Sequence, residues 1–212
     1  MKRYWAVMGL MMLLSGPGVA GTILVFGDSI SAAYGMDVAE GWVALLQETL
    51  KRTPGREHDR VVNASISGET SAGGLARLGR ELATHQPDWV LLELGANDGL
   101  RGLSPEAMKT NLDSMIRQSQ ATGARVLLLG MKIPPSYGPR YIDMFYRIYP
   151  QLAEALKIPL IPFILEGIAL DPALMQPDGL HPNAKAQPLI ADKIASTLRP
   201  LLESPVPSNR QD

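Results

Sequence analysis

Short apolar runs alternate along the chain with longer stretches in which apolar residues recur every three or four positions. Thr22 to Phe26 (TILVF) is a run stopped by Gly27. Trp42, Leu45, Leu46 and Leu50 follow at helical spacing. Arg60 to Ser65 reads as a second strand, and Leu75, Leu78 and Leu82 as a second helical stripe ending before Pro87. Trp89 to Leu94 (WVLLEL) is a third strand. Ser104-Pro105-Glu106 starts a helix with a hydroxyl cap, proline at the first helical position and an acid in the first turn. Met108, Leu112, Met115 and Ile116 continue it. Arg125 to Leu129 is a fourth strand. Tyr141, Phe145, Ile148, Leu152 and Leu156 form a stripe expected to kink at Pro150. Ile158 to Ile164 is a fifth strand candidate, pushed to an edge by Pro159 and Pro162. The last stripe is Ile190, Ile194, Leu198 and Leu201, with Pro188 blurring its start.

Strands apolar throughout need cover on both faces, and the intervening helices supply it. The pattern predicts one α/β domain, a three-layer α/β/α sandwich around a mainly parallel five-stranded sheet. No internal repeat or linker interrupts it, and Ser204 to Asp212 reads as a loose polar tail.

The first twenty residues break this pattern. Lys2 and Arg3 precede an almost wholly apolar stretch from Tyr4 to Ser15, and Gly18-Val19-Ala20 offers the small residues a signal peptidase reads. The expectation is a signal peptide, residues 1–20, and an exported mature chain, periplasmic or secreted. An uncleaved anchor is the alternative, but the run falls short of the roughly 20 residues a span needs. No cysteine follows it to take a lipid. Losing Lys2 and Arg3 moves the net charge from −1 to −3. Hydrophobic residues are 46% and charged residues 19%, which suits a packed core. The near-neutral balance argues against a nucleic-acid partner. Three scattered histidines and no cysteine argue against a metal site.

Ligands of open parallel sheets bind at the carboxyl ends of the strands. Gly27-Asp28-Ser29 follows the first strand, Ser67-Gly68-Glu69 the second and Gly95-Ala96-Asn97-Asp98 the third. One such turn is ordinary loop chemistry; three on one rim form a candidate site. A serine nucleophile needs a base, and the base needs orienting. His58 lies in a charged turn and His85 at a helix end, both read as surface residues. His181 lies in Pro177-Asp178-Gly179-Leu180-His181-Pro182. Asp178, three residues earlier, is close enough on a turn to accept the Nδ1 proton and leave Nε2 free to take a hydroxyl proton. Such a turn can equally be one that merely packs. Ser31 stands where a nucleophile elbow of the Gly-x-Ser-x-Gly type has glycine, which disfavours an ordinary α/β-hydrolase elbow. Asp28 and Asp98 are read as loop-building groups.

Together these blocks resemble the GDSL or SGNH hydrolase family, whose four lettered residues match here as Ser29, Gly68, Asn97 and His181, in order. The resemblance covers the whole mature chain. Within the family, Val61-Val62-Asn63-Ala64-Ser65-Ile66-Ser67-Gly68 and Gly138-Pro139-Arg140-Tyr141 are similar to exported bacterial multifunctional esterases of the thioesterase I, protease I and lysophospholipase type. The resemblance implies a flavodoxin-like sheet, no cofactor, and a serine esterase acting on acyl esters and thioesters. It assigns Ser29, His181 and Asp178 as catalytic residues, and the backbone N–H groups of Ser29 and Gly68 with the Asn97 amide as the oxyanion hole. Glycine suits close backbone approach at position 68, and asparagine offers a neutral N–H donor.

The loop from Met131 to Arg140, on the same rim, carries Ile133, Pro134 and Tyr137. It is expected either to wall an acyl chain or to be a stiff connection. Small-molecule or lipid acyl esters are the expected substrates and a monomer the default. A polysaccharide deacetylase of the same family is the alternative enzyme; aromatics of only 6% argue against extended sugar platforms. A non-enzymatic envelope binding protein would have lost at least one catalytic residue, and none is lost. The sequon Asn63-Ala64-Ser65 falls in a strand and carries no weight.

Overall fold

A computed structural model describes residues 20–204. The expected signal segment, apart from Ala20, and tail residues 205–212 lie outside the described residues.

Five strands form one sheet: β1 (Thr22–Gly27), β2 (Arg60–Asn63), β3 (Trp89–Glu93), β4 (Arg125–Leu129) and β5 (Leu160–Ile161). Their order is β2-β1-β3-β4-β5 and every pairing is parallel. This is the flavodoxin-like order, with the strand sequence reversing direction between β1 and β3. The helices are α1 (Trp42–Lys51), α2 (Ser71–His85), α3 (Ala96–Leu100), α4 (Pro105–Ala121), α5 (Pro139–Leu156) and α6 (Gln187–Glu203). Helix α1 packs on α6, while α4 packs on both α2 and α5. The sheet is thus the middle of three layers.

The apolar runs sit where their composition requires. Leu24 to Phe26, Val90, Leu91 and Leu127 to Leu129 are buried from solvent. Each such side chain stabilises the fold by about 1.5–3 kcal/mol relative to exposure. Ser104 caps α4, its Oγ accepting the Ala107 N–H, with Pro105 in the first turn. Helix α5 continues through Pro150 and α6 through Pro200.

Three elements differ from the sequence expectation. Strand β5 has two residues instead of seven, because Pro159 and Pro162 lack the N–H a ladder needs. Strand β2 ends at Asn63, but its extension stays attached: the Ala64 and Ile66 N–H groups donate to the carbonyls of Val25 (2.9 Å) and Gly27 (3.0 Å). Helix α3, one turn long, replaces a simple turn after β3.

Candidate active site

The carboxyl ends of β1, β2 and β3 deliver the three glycine-bearing turns to one rim. Beyond β1 the chain coils tightly, the Asp28 carbonyl accepting from Ala32 N–H (2.9 Å) and the Ser29 carbonyl from Tyr34 N–H (3.1 Å). Gly68 has φ +79°, a left-handed conformation that glycine adopts without strain. Its carbonyl accepts from Arg101 Nη2 at 2.8 Å, tying the β2 turn to the end of α3. Gly95, at φ +117°, turns the chain into α3; a Cβ there would lie 2.5 Å from the Tyr149 hydroxyl.

His181 reaches this rim from the segment between β5 and α6. Gln176 holds the segment in place. Its Nε2 donates to the carbonyls of Tyr34 (2.8 Å) and Pro182 (3.1 Å), and its N–H donates to the His181 carbonyl (2.7 Å). The His181 Nδ1 lies 2.7 Å from Asp178 Oδ2, and Nε2 lies 2.8 Å from Ser29 Oγ. A carboxylate only accepts, so Nδ1 carries the proton and Nε2 is left to accept from the serine hydroxyl. The other Asp178 oxygen accepts the N–H groups of Leu180 (2.9 Å) and His181 (3.0 Å). Burial raises the Asp178 pKa, but the bonds from the His181 ring and the two amides together outweigh it and hold it at about 2. The Tyr34 ring, half exposed, lies over His181 with centroids 4.5 Å apart.

Beneath Ser29 the polar groups are buried. Asp28 Oδ2 accepts from Asn97 Nδ2 at 3.1 Å and Oδ1 from Ile30 N–H at 3.1 Å. Glu93, the last residue of β3, accepts the Asp28 N–H (3.2 Å) and the Ser31 hydroxyl (2.7 Å) on Oε2. Burial pushes the Asp28 carboxyl up to about 6, and raises Glu93 well above the ordinary carboxylate range, the neighbouring Asp28 charge adding to it. Asp98 is buried as well, accepting the Ser71 N–H (2.7 Å) and hydroxyl (2.6 Å). It thus fastens α2 to α3. Asp28 thus bonds within the turn after β1, while Asp98, expected in a loop, lies inside α3.

Ser29, His181 and Asp178 are thus joined directly and Asn97 through Asp28, while Gly68 stands on the same rim, bonded to Arg101. The Met131–Arg140 loop is divided. Ile133 is 6% exposed and packs over Gly99, where a Cβ would lie 2.6 Å from Ile133 Cγ2. Pro134 is half-buried; Tyr137 is exposed, its hydroxyl donating to the Leu100 carbonyl at 2.6 Å. His58 is exposed, and His85 closes α2 with Nε2 3.4 Å from Glu81. Two residues escaped the sequence reading. Tyr34 gave no signal, whereas Glu93 did: it is the one acid inside an otherwise apolar run.

A flavodoxin-like sheet bearing a Ser–His–Asp chain on its carboxyl rim, outside any nucleophile elbow, defines a serine hydrolase of the SGNH type. The chain belongs to the GDSL-like Lipase/Acylhydrolase family, whose model matches residues 25–188. It is 53% identical over 193 residues to "Esterase TesA" of Pseudomonas aeruginosa, covering 91% of this chain and 94% of that protein. It is 46% identical over 193 residues to "Thioesterase 1/protease 1/lysophospholipase L1" of Escherichia coli K12, covering 91% of this chain and 90% of that one. Among solved structures, the psychrotrophic esterase EstA from Pseudoalteromonas sp., inhibited by monoethylphosphonate, superposes with a TM-score of 0.81 at 46% identity. That match covers 87% of this chain and all of the other, 100%.

Proposed function

We propose that this protein is a serine esterase that hydrolyses carboxylic ester and thioester bonds of acyl substrates through an acyl-enzyme. The observation that carries the reading is the continuous hydrogen-bonded path from Asp178 through His181 to Ser29. Ser29 Oγ attacks the acyl carbonyl carbon as its proton passes to His181 Nε2. The carbonyl oxygen takes the negative charge and is held by the N–H groups of Ser29 and Gly68 and by the Asn97 amide. On collapse the imidazolium returns its proton to the departing alcohol or thiol, leaving the acyl group on Ser29. Water then repeats the attack, His181 again taking and returning a proton, and the carboxylic acid leaves. Asp178 orients the ring and balances its charge. No step calls for a metal or organic cofactor.

The names of the relatives support acyl esters and thioesters as the substrate class, and the phosphonate-inhibited esterase suits a serine that attacks acyl-like centres. The Met131–Arg140 loop supplies the acyl wall in this reading: Tyr137 and Pro134 face the chain and Ile133 backs them from the core. The working unit is residues 21–203, acting as a monomer. The basic and apolar start of the sequence supports export to the periplasm or medium, where lipid breakdown products are the more accessible acyl substrates. Among the described residues no helix is long and apolar enough to cross a membrane.

Purified residues 21–212 should hydrolyse p-nitrophenyl esters across a series of acyl lengths, and Ser29→Ala should lose on the order of 10⁶ in kcat. Equal rates in both proteins would remove Ser29 as nucleophile. Strict preference for acetyl esters would move the deacetylase reading ahead.

A further inference from the structure

The mechanism uses three turns on the rim but leaves two buried carboxyl groups beneath them unexplained. Asp28 is 1% exposed and Glu93 wholly enclosed. Two ionised carboxylates in one apolar enclosure repel, so one of them keeps a proton. The contacts say which. Both Asp28 oxygens accept from N–H groups, of Ile30 and Asn97, so neither has to carry a proton. Glu93 has Oε2 filled by two donors, while Oε1 is buried with no hydrogen-bond partner. An unpaired buried acceptor is costly. A proton on Glu93 makes its carboxyl a donor to the Asp28 side chain, with which it is in hydrogen-bonding contact.

We propose that a neutral Glu93 and an ionised Asp28 form a proton-sharing pair whose task is to position the Asn97 amide, fixing its nitrogen towards the oxyanion. The inference rests on Asn97 being an oxyanion donor. A primary amide can present either N–H or carbonyl to a neighbour. Facing a carboxylate, it can only present N–H. Asp28 therefore holds one amide proton of Asn97 and sets the orientation of the other. Placing a charge beside a developing oxyanion would oppose catalysis if that charge were bare. Here it is spread over the Ile30 N–H, the Asn97 amide and the Glu93 proton, and it also favours the imidazolium of His181. The titratable groups bearing on the pair are His181 from the β5–α6 segment, Asp98 from α3 and Tyr149 from α5. Asp28 and Glu93 touch no reacting atom, so both are positioning residues.

The test is a double-mutant cycle with a pH profile. Asparagine at position 28 can satisfy Ile30 with its oxygen, but then turns its own NH₂ to Asn97 and inverts that amide. Asp28→Asn should lower kcat by about 10- to 100-fold with KM within about twofold. Combined with Asn97→Ala it should lose no more than Asn97→Ala alone. Wild-type kcat/KM should fall on the acid side with two protons taken up, and that of Asp28→Asn with one. Glu93→Gln keeps an acceptor for Ser31 and a donor for Asp28, so it should keep activity within about threefold, whereas Glu93→Leu should not. Multiplicative losses in the cycle, or an unchanged acid limb, would overturn the proposal. A Gln variant as damaged as Leu would do the same, and would stand even if Asp28→Asn failed to fold. Full activity in Asn97→Ala would instead remove the oxyanion assignment, and the positioning role with it.

Discussion

The two halves of the site are built in opposite ways. The proton-transfer half, Asp178 and His181, lies on a segment without regular structure, and its side chains are partly exposed, 39% and 20%. Its bonds are local, between residues three positions apart. The oxyanion half sits at the ends of central strands, and its bonds join residues 62 to 69 positions apart. Water can reach the first half and stays away from the Asp28 and Glu93 carboxyl groups beneath the second. A solvated turn suffices where a ring must only be oriented. Burial is needed where an amide must be held against an alternative orientation of equal shape. The two carboxylates show the same contrast: Asp178 is held far below the usual range and Asp28 well above it.

Three measurements would break or sharpen this contrast. The largest effect should come from Asp178→Asn, on the order of 10⁴ in kcat, because the amide can present its own N–H to Nδ1 and hold the wrong tautomer. Its fold should be little disturbed, since the bonds it loses are local and exposed. A loss below about tenfold would mean that water replaces the carboxylate. Asn97→Ala should cost about 10²–10³ in kcat, with KM nearly unchanged. A rise in KM alone would place the amide against the ground state instead. The smallest effect is on stability. Asp28 has a raised pKa in the fold, so its favourable contribution is complete below the ordinary carboxylate range and is lost as pH rises through about 6. Asp178 runs the other way: its contribution is present above that range and lost as pH falls towards about 2. The Tm of Asp28→Asn, relative to wild type, should therefore climb from about pH 4 to about pH 6 and level off above. A flat difference would show that folding does not raise the Asp28 pKa.

The sequence revealed the parts of the fold with strong periodicity. Strands β1, β3 and β4 are buried on both faces and so read as continuous apolar runs. Helices α1, α4 and α5 carried clear stripes. The short elements were harder to see. Helix α3 has five residues, too few for a stripe, and Ala-Asn-Asp-Gly reads as a turn. Strand β5 was overextended because its apolar residues belong partly to the turns that follow it. Ser29, Gly68, Asn97, Asp178 and His181 were legible because each stands in a short block of unusual polarity. Glu93 stands out as the one acid of an apolar run, but its partners, Asp28 and Ser31, lie in the turn after β1, and no local pattern announces them.

The parallel sheet also sets when the protein can work. Ser29 emerges early in synthesis, and the base it bonds to lies 152 residues further on. Strand β1 is central, so it cannot be paired on both sides until β2 and β3 have followed. Non-local pairing of this kind is slow to form. In the proposed mechanism Ser29 therefore spends the making of the chain without its base, and activity waits on the arrival of His181.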